Sequence, residues 1–289
     1  MGPARSPLKP IVEGGAFFEA PRWRDGRWWV SDFFRRQVWS FACDGSEPRV
    51  EAVVPGQPSG LGWDVDGRLL VVSMLDHRLL RRSSGAEKLE VVADLSRVSG
   101  GQSNDMVVDA TGRAWVGNFG FDLHGGAPPV PTSLARVDPD GTVAVAAQDL
   151  LFPNGAVVSA DGATLIVGET FGSRYTAFTI LPEGTLGRRR TWADLPGVRP
   201  DGCCLDADGR IWCADAGAGR ALLVEEGGRI VREITAPDGL GVFACMLGGP
   251  SGTTLLLCCC PRRGAAVTDA TRSAVLLTVE VDRPHAGLP

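Results

Sequence analysis

A chain of 289 residues can bury a substantial core in one large domain or in two ordinary ones. With 44% hydrophobic and 22% charged residues, its composition is that of a folded globular protein and excludes pervasive disorder. A net charge of −5 supplies no basic footprint for a phosphate backbone, so nucleic acid is not an expected partner.

The first ten residues carry two positive charges, Arg5 and Lys9, with no apolar run behind them. Neither a secretory signal nor a membrane span of roughly 18 apolar residues is expected. The segment Lys9–Gly14 reads as a short strand with no partner of its own near it in sequence. From there a hairpin signature recurs, in which two apolar runs flank a turn built on Asp-Gly or a close variant. It reads RWRDGRWWVSD at 22–32, WDVDGRLLVVS at 63–73, VDATGRAWVGN at 108–118, VSADGATLIVGE at 158–169 and LDADGRIWCAD at 205–215, with a weaker copy, LGGPSGTTLLLCC, at 247–259.

The turn glycines Gly26, Gly67, Gly112, Gly162, Gly209 and Gly252 recur 41 to 50 residues apart, and no stretch between them has helical periodicity. That interval is too long for a β-helix coil and fits propeller blades. Each of the first five hairpins is followed by two further strands, as in QVWSFAC and RVEAVV; the last is followed by one, SAVLLTVEV at 273–281. The expected fold is therefore all-β, a single six-bladed β-propeller over residues 1–289 with four-stranded blades. Lys9–Gly14 would complete the last blade and hide its edge.

The eight cysteines sit as neighbours in apolar runs and form no CxxC pair. Buried thiols in a reducing compartment are expected, which places the protein in the cytoplasm. A nucleophilic role for Cys203 or Cys204 is disfavoured, since no histidine lies near in sequence and adjacent strand residues face opposite ways.

In a propeller the innermost strand of each blade lines the axis, so residues counted back from each turn glycine form a ring. Eight residues before the glycine stand Ser59, Asn104, Asn154, Asp201 and Ala244; in the first blade, whose hairpin is one residue shorter, Glu19 stands seven before. Pro153-Asn154-Gly155 and Pro200-Asp201-Gly202 taken singly also read as plain turns. Four strong oxygen donors at equivalent positions point further. Two carboxylates crowded on an axis repel unless a cation neutralises them, and carboxylate and amide oxygens select Ca²⁺ first, then Mg²⁺ or Mn²⁺. None of the three histidines falls in the ring, so a histidine-rich zinc centre is not expected.

The motifs Phe18-Glu19-Ala20-Pro21-Arg22-Trp23, Ser103-Asn104-Asp105, Pro153-Asn154-Gly155 and Pro200-Asp201-Gly202 resemble those of the senescence marker protein 30/gluconolactonase/luciferin-regenerating-enzyme-like family, and the resemblance covers essentially the whole chain. It implies a six-bladed propeller and one catalytic divalent cation, Ca²⁺ foremost with Mg²⁺, Mn²⁺ or Zn²⁺ as alternatives. Glu19, Asn154 and Asp201 match the family's metal ligands, Asp201 matches its proposed general base, and Asn104 matches a residue beside the metal that contacts substrate or completes the shell. Where aldonolactone-hydrolysing members carry an Arg, this chain has Gln102, which bears on sugar specificity. The segment Phe119–Pro131 resembles the loop that roofs the family's site, bringing His124 and Asp122 forward as substrate contacts. Phe17, Phe18, Phe33, Phe34, Phe119, Phe121 and Phe171, near the ends of site-facing strands, point to a less polar pocket than a sugar acid needs.

The expected activity is hydrolysis of a lactone or related cyclic ester, with a small molecule as the partner. The same ion would also serve phosphoester or organophosphate hydrolysis, and a calcium-binding propeller without catalysis is a third reading. A protein-docking propeller is disfavoured because the blades lack the WD dipeptide signature and it leaves the axial donors unexplained. The sequence sets no oligomeric state.

Overall fold

The computed structural model describes residues 7–83, 88–262 and 267–289. Its strands form six four-stranded antiparallel sheets arranged as blades in a ring, a six-bladed β-propeller. The innermost strands are Phe18–Arg24, Pro58–Trp63, Ser103–Val108, Pro153–Val158, Pro200–Leu205 and Leu240–Gly248. Burial falls from axis to rim, as a radial sheet requires. In the third blade the inner strand is buried throughout, whereas its outermost strand, Val143–Leu150, is largely half-exposed or exposed. Among the described residues no helix is long and apolar enough to cross a membrane.

The recurrent turn has a local cause. Asp64, Asp109 and Asp206 each accept two backbone N–H groups with one carboxylate oxygen, from the residues two and four positions on. This is an Asx turn, and it leaves the following glycine in the left-handed region, with φ of 76° at both Gly67 and Gly209. The first hairpin is tighter. Arg24 pairs directly with Arg27, leaving a two-residue turn with positive φ at Asp25 and Gly26, which accounts for the shorter count back to Glu19.

Neighbouring blades lock through large side chains on their second strands. Trp28, Trp115 and Trp212, on the first, third and fifth blades, are almost completely buried. Trp115 packs with Ala156, Val158, Leu165 and Val167 of the fourth blade, so each indole belongs to an interblade core and not to its own sheet alone. Seven cysteines are buried, as expected of small apolar side chains, but Cys43 is exposed, contrary to the reading of all eight as interior. It lies just beyond the third strand of the first blade, Gln37–Ala42, where the chain turns at the rim.

The ring closes with a strand from the N-terminus. Lys9–Gly15 pairs antiparallel with Ala274–Glu280, the third strand of the last blade, from Lys9 opposite Thr278 to Gly15 opposite Ala274. Deleting residues 1–14 uncovers an edge whose side chains, including Leu276 and Leu277, are buried in the native ring. The melting temperature should fall by roughly 10 °C, the shift a loss of a few kcal/mol produces in a protein of this size. Deleting only 1–7 should leave it nearly unchanged. An unaltered melting curve after the longer deletion would show that closure contributes nothing.

Candidate metal centre and substrate pocket

The inner strands share an irregularity that the repeat pattern does not reveal. Each breaks register with its neighbour at the same level: between Glu19 and Arg22, Pro58 and Leu61, Ser103 and Met106, Pro153 and Ala156, Pro200 and Cys203, and Val242 and Ala244. Such bulges re-aim side chains out of the sheet plane. The ring residues lie in these segments or, for Ala244 and Glu19, at their ends. Pro-Asn-Gly and Pro-Asp-Gly are thus bulged strand segments and not turns. Their glycines answer to crowding at the axis. A Cβ at Gly155 would lie 2.3 Å from the Asp201 carbonyl oxygen, and one at Gly202 would lie 2.4 Å from the Ala244 Cβ.

The ring side chains are all buried, from Ala244 at 0% exposure to Asp201 at 9%. A chain of hydrogen bonds runs through them across four blades. The Ser59 hydroxyl donates to Asn104 Oδ1 at 3.0 Å, Asn104 Nδ2 donates to Asn154 Oδ1 at 2.9 Å, and Asn154 Nδ2 donates to Asp201 Oδ1 at 2.6 Å. Thr170, which the sequence did not single out, accepts from Asn154 Nδ2 and donates to the Pro200 carbonyl, tying the fourth blade to the fifth. Glu19 Oε2 accepts the backbone N–H of Ala20, a residue whose φ of 47° belongs to the bulge.

Electrostatics at this ring are unbalanced. The axial cation among the described side chains, Arg22, is committed elsewhere. Its guanidinium pairs with Asp105 at 3.0 Å and donates to the carbonyls of Pro21, Leu61 and Met106. Burial, reinforced by the charges of Asp201 and Asp105, pushes the Glu19 carboxyl well above the usual carboxylate range. Burial also pushes Asp201 up, to about 8; the Asn154 hydrogen bond opposes this and Asp105 adds to it. Two buried carboxylates held in this way call for a positive charge. Among the described residues no three His, Cys, Asp or Glu side chains gather as a candidate metal-binding group. Two carboxylates with amide oxygens fit a hard, oxygen-preferring cation.

Above the ring opens a cavity of about 970 Å³, lined at its floor by Glu19, Asn104, Asn154 and Asp201. Gln102 and His124 also line it, so six of the seven sequence-derived candidates border one space, Asp122 being the exception. Gln102 Oε1 is buried without a hydrogen-bond partner. His124 meets the Phe119 ring edge-on, whereas Asp122 is exposed and accepts the Gly125 N–H, shaping the loop instead of facing the cavity. The walls are aromatic: Phe119 stacks on Phe152 at 4.5 Å between centroids, and Phe17 lies 4.8 Å from Phe243. Phe152 and Phe243 escaped the sequence reading, although each directly precedes a ring segment. Phe18 is a packing residue, buried in the core of the last blade. Cys203 and Cys204 point into separate cores, and burial pushes the Cys203 thiol well up, which leaves it protonated and unreactive.

Fold and site together define a six-bladed propeller with an axial oxygen-donor centre beneath an aromatic pocket. Residues 17–260 match the model of the SMP-30/Gluconolactonase/LRE-like region, and the chain belongs to that family. It is 32% identical over 139 residues to a 6-deoxy-6-sulfogluconolactonase of Pseudomonas putida, an alignment spanning 46% of each chain. It is 25% identical over 225 residues to the lactonase drp35 of Staphylococcus epidermidis, covering 74% of this chain and 67% of the relative. Its fold superposes on the calcium-binding protein regucalcin of Agrobacterium tumefaciens with a TM-score of 0.82 at 22% identity, over 98% of this chain and 97% of the other.

Proposed function

We propose that this propeller is a metal-dependent hydrolase that opens a lactone or related cyclic ester. The observation that carries the reading is the pair of buried, charge-deficient carboxylates, Glu19 and Asp201, joined to Asn154 at the floor of an aromatic pocket. The lactonase names of two relatives support it. Glu19, Asn154 and Asp201 would hold one divalent cation, Ca²⁺ in first place and Mg²⁺, Mn²⁺ or Zn²⁺ as alternatives. Such an ion, when bound, polarises a carbonyl oxygen and acidifies a nearby water.

The chain's own groups supply the rest. Asn104 orients the substrate beside the floor, with Gln102 and His124 as contacts from the wall. The Asp201 carboxylate takes the proton of the attacking water as the water oxygen bonds to the carbonyl carbon. That proton then passes to the ring oxygen as the C–O bond breaks, giving a hydroxy acid. The phenylalanine walls exclude bulk water and match an apolar substrate better than a polyhydroxylated one. The unpartnered Gln102 oxygen adds a single hydrogen-bond acceptor on that wall.

The deciding experiment reloads metal-free protein with each of the four ions and assays aldonolactones, aliphatic and aryl γ- and δ-lactones, and aryl phosphoesters. Cation-dependent turnover is expected for the aliphatic or aryl lactones above the aldonolactones. Turnover of phosphoesters alone would move the site to phosphorus chemistry, and tight Ca²⁺ binding without turnover of any ester would make it a binding propeller.

A further inference from the structure

The floor of the pocket is acidic, but its rim between the fifth and sixth blades is not. Arg199, just before the inner strand of the fifth blade, and Arg262, just past the second strand of the sixth, both line the main cavity. Both also line an adjoining cleft of about 650 Å³ with Ala216, Gly217, Gly239 and Phe243. Each arginine is exposed, and among the described residues neither guanidinium has a carboxylate within ion-pair distance or a side-chain hydrogen bond. Their neighbours differ: Arg174 pairs with buried Glu169 and Arg220 with buried Asp215.

The two free cations are nevertheless held in place. Asp215 spends one oxygen on Arg220 and the other on the backbone N–H groups of Arg199 and Gly217, fixing the Arg199 backbone without neutralising its side chain. The Arg199 guanidinium lies over the Phe171 ring at 5.5 Å. The Arg262 stem rests where glycines leave room. A Cβ at Gly241 would lie 2.9 Å from Arg262 Cγ and 2.7 Å from the Phe243 ring, so any side chain there would displace both. The Arg262 N–H donates to the Gly239 carbonyl.

We propose that Arg199 and Arg262 form an anion subsite, and that the substrate is a lactone carrying a carboxylate, sulfonate or phosphate on an apolar arm. The proposal names the substrate class of the site described above and rests on that reading. An anionic group is attracted to the two guanidiniums at the rim, so the substrate lies with its anion there and its carbonyl toward the floor, where Glu19, Asn154 and Asp201 would hold the cation. The phenylalanine walls hold the arm between, and planar guanidinium forks suit any of the three anions.

The test compares an aryl-substituted γ-butyrolactone bearing a ring carboxylate with its methyl ester, with sulfonate and phosphate analogues identifying the preferred anion. Wild type, Arg199→Gln, Arg262→Gln and the double variant are assayed at low and high salt. Because the rim is exposed and screened, the wild-type preference for the acid over the ester should be about tenfold in KM at low salt and shrink as salt rises. The double variant should lose that preference while hydrolysing the ester as wild type does. Equal handling of acid and ester by wild type would overturn the subsite and leave the lactonase reading intact. If neither lactone turns over, calorimetric titration of 3-phenylpropionate, its sulfonate analogue and phenyl phosphate into Ca²⁺-loaded protein decides. Binding weakened at least about tenfold by the double substitution upholds the subsite without the lactonase activity, and equal binding overturns it.

Discussion

Asp201→Asn, assayed at saturating cation, is expected to hydrolyse the best lactone about 10²–10⁴-fold more slowly than wild type, the range spanned by loss of a positioned general base. The substitution keeps an oxygen at Oδ1, where the side chain meets Asn154 Nδ2, so the hydrogen-bonded ring survives. It removes a negative charge, so cation affinity falls, and it removes the proton acceptor, which excess cation does not restore. Asn154→Ala separates the two effects. It takes away a neutral donor of the ring but leaves the Asp201 carboxylate, and raising the cation concentration should recover much of its activity. The measurement is kcat against cation concentration for both variants. A cation-saturated Asp201→Asn enzyme that turned over at the wild-type rate would leave Asp201 as a ligand only and move proton transfer to Glu19 or to solvent.

The residues in that experiment were legible because a propeller repeats. Six turn glycines spaced 41 to 50 residues apart gave the blades, and counting back from each gave Glu19, Asn104, Asn154 and Asp201 at one level without knowledge of any contact. The closing strand was legible because the last blade was short of one and Lys9–Gly14 had no other place. What stayed hidden depends on pairing across the fold. No periodicity announces a bulge, yet six bulges at one level aim the ring side chains at the axis. Thr170 and Phe152 act through neighbours in other blades or loops, and Arg22 meets Asp105 across 83 residues of sequence. Arg199 and Arg262 look like ordinary surface arginines in the sequence. Only the ring places them at one mouth, and only there does the lack of a carboxylate partner among the described residues acquire meaning.

The second large effect concerns stability, and its sign follows from the same two carboxylates. Without a cation, burial pushes the Asp201 carboxyl up to about 8, against a usual value of 3.8, and raises Glu19 as well. Between those limits the folded state holds protons that the unfolded state has released. Stability therefore falls as pH rises from about 4 toward 8, the reverse of what an ion-paired aspartate produces. The loss across that window should amount to a few kcal/mol, since every tenfold difference in proton affinity between the folded and unfolded states is worth about 1.4 kcal/mol. A divalent cation binds the ionised carboxylates of the folded state alone, so it opposes the trend and stabilises most at the alkaline end, where no proton competes. Melting temperatures measured from pH 5 to 8.5 in chelator should descend, and those with millimolar Ca²⁺ should not, so the gap between the curves widens with pH. Asp201→Asn should make the chelated curve shallower, because the amide cannot titrate and only the Glu19 contribution remains. A chelated protein whose stability ignored pH across this range, and a Ca²⁺ effect that did not grow with pH, would mean that the axial carboxylates are balanced by something other than a bound cation.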